Sequence, residues 1–142
     1  MSSLSFPDIN VWLALLMADH AHRTAALRWG DLDGAESIAF CRLTQLGVLR
    51  LLTTPAAMNH RPLTMNQAWN AYDRIFADPR VEFLPEPASL EEPLRKIATA
   101  RVSSPKLWAD AYLSAFALRA GATLVTFDRA LAARCKDRKS VV

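Results

Sequence analysis

The chain has 142 residues, of which 51% are hydrophobic and only four are glycine, and this composition excludes a disordered chain. Its length is typical of one domain with a buried core, so we expect a single domain over residues 1–142. The net charge of +3 is compatible with a nucleic-acid partner, but it does not establish one.

The sequence carries none of the usual signals for export or membrane insertion. The N-terminal MSSLSFPD has no basic leader before an apolar core, so we expect no signal peptide. The longest apolar run, Val11–Ala18, is far shorter than the roughly 20 residues that cross a bilayer. Cys41 and Cys135 belong to no C-x-x-C pair and to no zinc-binding spacing. We therefore expect a cytoplasmic protein with reduced thiols and no membrane partner.

Short apolar segments alternate with helical segments along the chain. The predicted strands are Leu4–Phe6, Ser37–Cys41, Val81–Leu84 and Thr123–Phe127. The predicted helices are Val11–Met17, Ala21–Leu32, Thr44–Leu52, a helix capped by Thr64 that ends at Phe76, Glu91–Ala100, a helix with Pro105 in its first turn that ends at Gly121, and Arg129–Arg134. This alternation predicts an α/β fold with a mostly parallel sheet and helices on both faces.

Three aspartates are candidates for one site. Asp8 and Asp128 each follow a predicted strand, and ligands of parallel sheets bind beyond the carboxyl ends of the strands. Asp110 lies in the largely apolar helix PKLWADAYLSAFAL, which precedes the strand that delivers Asp128. A right-handed connection returns this helix to the sheet beside its own strands, so all three carboxylates could converge.

Clustered carboxylates repel each other and resist burial, and a hard divalent cation removes this conflict. Mg²⁺ prefers oxygen ligands, suits phosphate substrates and lowers the pKa of a bound water. The cluster therefore indicates metal-assisted hydrolysis of a phosphodiester. Each residue also has an ordinary alternative: Asp8 could cap the helix that begins at Ile9, Asp128 could cap the last helix, and Asp110 could lie on a solvated face.

Four blocks of the sequence resemble the motif blocks of PIN-domain ribonucleases, and most closely those of the VapC toxins of type II toxin–antitoxin systems. The blocks are FPDINVWLALL, FCRLTQLGVLRLLT, SPKLWADAYLSAFA and ATLVTFDRALA, and they follow the family's order from Leu4 to about Leu131. The resemblance implies a three-layer α/β/α sandwich. It also implies an endoribonuclease that depends on Mg²⁺ or Mn²⁺ and is neutralised by a VapB antitoxin.

The resemblance assigns roles to individual residues of this chain. Asp8 matches the family's first acidic ligand, Asp110 the downstream metal-binding aspartate, and Asp128 the acid after the last motif strand. Asn10 fills a D-x-N position, where it could hold Asp8 by hydrogen bonding or simply begin the helix. Thr126 matches a frequent hydroxyl of the family, although a β-branched residue could also be ordinary strand filling.

Two features depart from the family pattern. Gln45 occupies the position of a common glutamate; its carbonyl oxygen remains available, but it brings no negative charge. We therefore expect weaker metal binding in the free protein, with one metal ion rather than two before RNA arrives. The second departure is the basic tail CKDRKSVV, where relatives usually continue with a further strand and this sequence predicts none.

Basic and aromatic residues are candidates for contacts with partners. Four basic residues could neutralise RNA phosphates, although solvated surface charge is the commoner explanation: Arg42, Arg101, Lys106 and Arg129. Four tryptophans indicate a core, or an interface with a second copy or an antitoxin helix: Trp12, Trp29, Trp69 and Trp108. Because members of the family generally dimerise, the resemblance also implies a homodimer.

The residues and the resemblance together favour a VapC-like toxin that cleaves structured RNA, with tRNA and rRNA as candidate targets. One alternative is a catalytically weak or inactive PIN fold that binds RNA or its antitoxin, which Gln45 and the basic tail support. Another is a haloacid-dehalogenase-like phosphatase, because DINVW is similar to that family's D-x-D start. Asn10 in place of the second aspartate argues against the phosphatase.

Overall fold

The computed structural model describes residues 3–32, 36–101, 103–134 and 138–140. Its strands are β1 (Leu4–Pro7), β2 (Ser37–Phe40), β3 (Val81–Phe83), β4 (Thr123–Thr126) and β5 (Arg138–Ser140). They form one sheet in the order β3-β2-β1-β4-β5, and every neighbouring pair is parallel. The four strands predicted from the sequence are confirmed, with ends that differ by one residue.

The helices lie between the strands. They are α1 (Ile9–Leu16), α2 (Arg23–Leu32), α3 (Arg42–Leu52), α4 (Met65–Ile75), α5 (Glu91–Ile97), α6 (Leu107–Ala120) and α7 (Arg129–Arg134), with a short 3₁₀ turn at Pro55–Met58. Helix α3 begins two residues earlier than predicted, because the Thr44 hydroxyl accepts a hydrogen bond from the backbone N–H of Cys41 and caps the helix there. No helix in these described ranges is long and apolar enough to cross a membrane.

The sheet is covered on both faces by separate hydrophobic cores. Helices α1 to α4 pack on one face, where Trp12 stacks on Phe40 with ring centroids 3.8 Å apart. Helices α5 to α7 pack on the other face, where Phe6 stacks on Phe116 at 4.8 Å. Successive strand residues alternate between the two cores, since side chains along a strand point to opposite faces. This arrangement confirms the three-layer α/β/α sandwich.

The expectation that the basic tail contributes no strand is wrong. Strand β5 pairs in parallel with β4, with Leu124 opposite Arg138 and Thr126 opposite Ser140. An edge strand of three residues is held by backbone hydrogen bonds to its neighbour and needs no alternating apolar pattern, so its sequence gives little signal. Cys135 lies outside the described residues, and Cys41 is buried as a free thiol.

The order of the strands creates a crevice beside β1. The chain proceeds from β1 to β2 and β3 on one side, and then returns to place β4 on the other side of β1. In open parallel sheets, ligands bind at such a switch point, outside the carboxyl ends of the strands. We call the edge formed by the carboxyl ends of β1 to β4 the carboxyl rim.

Candidate active site

Asp8 lies at the centre of the carboxyl rim. It follows the last residue of β1, and its backbone N–H donates to the carbonyl of Val125 in β4 at 2.9 Å. Its Oδ1 accepts a hydrogen bond from the backbone N–H of Val11 at 3.1 Å, so Asp8 caps α1. The residue is only 8% exposed. A carboxylate that is this buried needs more than a helix cap to stay charged.

Thr126 supplies the second hydrogen bond to Asp8. This fully buried residue ends β4, and the pairing of Pro7 with Val125 places it beside Asp8. Its hydroxyl donates to Oδ2 of Asp8 at 2.5 Å and accepts from the backbone N–H of Asp128 at 2.9 Å. One hydroxyl therefore fixes the Asp8 carboxylate and also ties it to the turn that carries Asp128.

Asp128 caps the helix that follows β4. Its Oδ1 accepts hydrogen bonds from the backbone N–H groups of Ala130 at 2.9 Å and Leu131 at 3.1 Å. Unlike Asp8, Asp128 is exposed to solvent. Asp8 and Asp128 thus both cap helices, which is the alternative role that the sequence allowed. Capping does not prevent them from belonging to one site, because the Thr126 hydroxyl contacts the carboxylate of Asp8 and the backbone N–H of Asp128.

Asp110 is half-buried in the first turn of α6 and acts electrostatically on Asp8. Burial raises the pKa of the Asp8 carboxyl above its ordinary value, and the hydrogen bonds from Thr126 and Val11 oppose that rise. The negative charges of Asp110 and Asp128 raise the pKa of Asp8 further. The structure therefore brings Asp110 and Asp128 each close enough to Asp8 to act on its charge, at the crevice where a parallel sheet binds ligands.

The donor chemistry of these carboxylates fits a hydrated, hard cation. Within the described residues, no three Asp, Glu, His or Cys side chains are already placed as a set of direct metal ligands. Each Asp8 oxygen accepts one hydrogen bond and keeps a lone pair for another partner. Mg²⁺ typically binds through one or two carboxylates and keeps several waters. The three aspartates therefore have the donor chemistry of a site that would hold a cation partly through its own waters.

Gln45 and Asn10 do not hold Asp8 in the described part of the chain, where the donors to its carboxylate are Val11 and Thr126. Asn10 is exposed at the start of α1. Gln45 is 6% exposed, and its Oε1 accepts a hydrogen bond from the guanidinium of Arg42. The sequence reasoning missed this pair, although the i, i+3 spacing in CRLTQ is one at which helical side chains meet.

The carboxylates are separate from a cavity of about 730 Å³ in the structure. That cavity lies on the face covered by α1, α2 and α4, and its lining includes Trp12, Leu27 and Met58 but none of the three aspartates. The candidate site is an open rim rather than an enclosed pocket. An open rim suits a polymeric substrate, whose backbone has to pass across the reacting groups.

The raised pKa of Asp8 predicts how the stability of the metal-free protein depends on pH. The folded state binds this proton more tightly than the unfolded chain, so stability falls as pH rises from the ordinary value of 3.8 through the raised one. Above that window the charged Asp8 destabilises the fold, and we expect Asp8→Asn to raise the Tm in EDTA by a few degrees at neutral pH. Thermal denaturation across the acid-to-neutral range tests this, and a lower Tm for the variant at neutral pH contradicts it.

Thr126→Val is expected to reduce catalysis without removing any carboxylate. The variant keeps the shape of the strand but loses the donor to Asp8 and the acceptor for Asp128. We expect RNA cleavage to fall on the order of 10- to 100-fold, as for other groups that orient metal ligands. The pKa of Asp8 should also rise, which shifts the acidic limb of the pH–rate profile to higher pH.

Thr126→Ser is the matched control for this prediction, because it restores the hydroxyl. It should recover most of the activity and the original pH profile. If Thr126→Val instead lowers only the Tm, with an unchanged profile, Thr126 is a packing residue and not a positioning residue.

Comparison with known proteins identifies the fold. A family model described as the PIN domain matches residues 5–137. This chain belongs to the PIN-domain family. Over 128 residues this PIN domain is 43% identical to Ribonuclease VapC41 of Mycobacterium tuberculosis, covering 87% of the chain and 88% of the relative. It is also 32% identical over 125 residues to Ribonuclease VapC44 of the same organism, covering 88% of the chain and 86% of the relative. These relatives place it in the VapC branch of the family, and the phosphatase alternative is therefore wrong.

Solved structures share the same fold at low sequence identity. The crystal structure of Mycobacterium tuberculosis VapC20, described as a sarcin-ricin loop cleaving toxin, matches with a TM-score of 0.65 at 21% identity, over 92% of this chain and 94% of that one. VapBC2 from Rickettsia felis, bound to a DNA fragment from its promoter, matches with a TM-score of 0.64 at 12% identity, over 96% and 98%. At these identities the likeness concerns the fold alone.

Proposed function

We propose that this PIN domain is the toxin of a type II toxin–antitoxin system and that it hydrolyses RNA phosphodiester bonds with Mg²⁺, or with Mn²⁺ in its place. The observation that carries the proposal is the buried Asp8, held by Thr126 and repelled by Asp110 and Asp128 at the carboxyl rim. Such a cluster of carboxylates is costly unless a cation neutralises it. The identity of 43% to a protein named a ribonuclease supports the same function.

In this mechanism Asp8, Asp110 and Asp128 would hold the cation, either directly or through water. When bound, the cation supplies charge neutralisation at the scissile phosphate and a lowered pKa for the attacking water. The protein contributes a fixed frame, because Thr126 and the first turn of α1 hold both oxygens of Asp8 in place before substrate arrives. Burial of Asp8 would also strengthen its interaction with the cation.

The proposed substrate is structured RNA, with tRNA and rRNA as the candidate classes. VapC20, which shares the fold, is described as cleaving the sarcin-ricin loop, so an rRNA stem-loop is a reasonable first substrate to test. Two exposed basic residues near the motif blocks, Arg101 and Lys106, could contact phosphates of the RNA.

We further propose a VapB-type antitoxin as partner, a cytoplasmic location and a homodimeric toxin. Rickettsia felis VapBC2 supports the antitoxin by analogy of fold. Helices α3 and α4 expose three large apolar side chains that would suit a second copy: Leu46, Met65 and Trp69. Their exposed fractions are 55%, 70% and 44%, so all three side chains are accessible to a partner chain.

The proposed function is tested by incubating the purified protein with a sarcin-ricin stem-loop RNA, bulk tRNA and ribosomes. We expect cleavage in Mg²⁺ or Mn²⁺, none in EDTA, and inhibition when the protein encoded beside the toxin is added. Sequencing of the cleaved ends then identifies the target. RNA that is bound but remains intact at saturating Mg²⁺ and Mn²⁺ contradicts the proposal.

A second candidate function is an RNA-binding or antitoxin-binding PIN domain with little or no catalysis. It is favoured by the uncharged Gln45, whose side chain pairs with Arg42 and leaves the acidic cluster with three members. Calorimetric titration with Mg²⁺ separates the two candidates. A catalytic site binds the cation with an affinity that Asp8→Asn removes, whereas a binding module shows no such difference.

A further inference from the structure

Arg42 begins α3 directly after β2, the neighbour of β1 in the sheet, and so lies on the carboxyl rim. Ser5 of β1 pairs with Ile38 of β2 in parallel, so the residues that follow the two strands, Asp8 and Arg42 among them, lie at the same edge of the sheet. On the side of β2 that faces away from β1, Phe40 pairs with Phe83 at the end of β3. Adjacent strands are about 4.8 Å apart, so a side chain that reaches β3 lies roughly 10 Å from Asp8.

Two contacts hold the Arg42 side chain over β3. Its guanidinium carbon lies 4.7 Å from the centroid of the Phe83 ring, and its Nη1 donates to Oε1 of Gln45 at 2.5 Å. Gln45 is itself buried against Tyr72 of α4. Burial raises the pKa of Tyr72, and the Gln45 and Arg42 side chains oppose that rise. The guanidinium is thus fixed before any ligand arrives, while Arg42 as a residue remains exposed.

The partner that holds Arg42 carries no charge. Salt bridges in the described residues involve Arg80, Arg95, Lys96 and Arg119, and Arg42 is not among them. An amide oxygen accepts the hydrogen bond as a carboxylate would, but it leaves the positive charge available to an anion. A glutamate at position 45 would form an ion pair with Arg42 and neutralise it.

We infer that Arg42 is a preset phosphate-binding residue for RNA beside the scissile position, and that Gln45 holds it in place without neutralising it. The inference rests on the proposed ribonuclease function and names the substrate contact of that same site. A separation of roughly two strand spacings from Asp8 places the bound phosphate on a neighbouring nucleotide rather than at the cleaved bond. Gln45 is thereby a positioning residue for RNA and not a weakened metal ligand.

The first test measures RNA binding apart from cleavage. Binding of a sarcin-ricin stem-loop RNA to the Asp8→Asn protein in EDTA is titrated at several salt concentrations, with and without Arg42→Gln. We expect Arg42→Gln to weaken binding roughly tenfold at low salt. It should also reduce the slope of log K against log salt by about one.

Arg50→Gln is the matched control, because Arg50 is an exposed residue of the same helix, α3. It lies eight residues further on, about 12 Å along the axis and away from the carboxyl rim. The variant makes the same change in net charge, and we expect it to leave the affinity within twofold. Equal effects of Arg42→Gln and Arg50→Gln overturn the inference, because they indicate a nonspecific effect of net charge.

The second test concerns Gln45. Gln45→Glu should weaken RNA binding in EDTA about as much as Arg42→Gln does, because the new carboxylate pairs with the guanidinium. Gln45→Leu, which loses the hydrogen bond but adds no charge, should weaken binding only two- to threefold and keep the salt slope. Thermal denaturation checks that both variants fold. A folded Gln45→Glu protein that binds RNA as well as the parent overturns the role of Gln45.

The outcomes separate the inference from the function on which it rests. Loss of binding with Arg42→Gln supports the phosphate contact even if the unaltered protein fails to cleave RNA, and that failure would contradict only the proposed catalysis. Cleavage by the unaltered protein, together with binding that Arg42→Gln does not change, overturns the inference alone. If Arg42→Gln weakens antitoxin binding and not RNA binding, the guanidinium contacts a protein carboxylate instead.

Discussion

RNA cleavage is expected to fall by about 100-fold or more when Asp8 is replaced with Asn, with the fold preserved. The substitution removes the buried negative charge but keeps an oxygen that can still accept from the Val11 N–H. Thr126 can reorient its hydroxyl toward the new amide. Without the charge of Asp8 the cation is held less firmly, and the transition state loses roughly several kcal/mol of stabilisation. Each 1.4 kcal/mol corresponds to about tenfold in rate. The measurement is the initial rate of stem-loop cleavage in Mg²⁺.

Asp110→Asn should behave like Asp8→Asn, because Asp110 raises the pKa of Asp8 and belongs to the same cluster. Asp19→Asn is the matched control. Asp19 is an exposed carboxylate beyond the other end of α1, and it accepts a hydrogen bond from Asn59 at 2.7 Å. Its replacement should leave the cleavage rate within twofold. Cleavage that persists in both the Asp8 and the Asp110 variants would show that these carboxylates do not support catalysis.

Phe40→Ala is expected to destabilise the protein by about 3–5 kcal/mol. Phe40 is fully buried in β2, between α1 and α4. Its ring stacks on Trp12 at 3.8 Å and meets the edge of the Tyr72 ring at 5.0 Å. The substitution opens a cavity between β2 and the two helices, α1 and α4, that pack against the Phe40 ring. The loss is a large part of the roughly 5–15 kcal/mol that stabilises a typical domain. Urea denaturation monitored by tryptophan fluorescence gives the difference in unfolding free energy.

Trp108→Ala is the control for this prediction. Trp108 is also a large aromatic residue, but 67% of it is exposed at the start of α6, so its removal should change the unfolding free energy by less than about 0.5 kcal/mol. A loss below about 1 kcal/mol for Phe40→Ala would indicate that the core around β2 is loosely packed. A loss of several kcal/mol for Trp108→Ala would indicate that this surface is covered by another chain.

Much of the fold could be predicted from the sequence, because hydrophobic periodicity reflects burial directly. Four strands and seven helices follow from the apolar runs and from the capping and turn residues that bound them. Gly121, for example, ends α6 with the positive φ of 65° that this position requires. Strand β5 escaped prediction because Arg138–Ser140 has no alternation of apolar and polar residues, and its pairing with β4 is a feature of the folded backbone. The sequence also predicted that Asp8, Asp110 and Asp128 could converge, since parallel strands end at a common rim.

The sequence by itself determined the layered α/β/α architecture, the family and the candidate acids, because burial period, capping residues and motif blocks are local properties of the chain. Only the tertiary structure decided that Thr126 rather than Asn10 holds Asp8, and that Gln45 pairs with Arg42 over Phe83. Those contacts depend on strand register and side-chain direction. Both are set by packing between segments that lie far apart in the sequence.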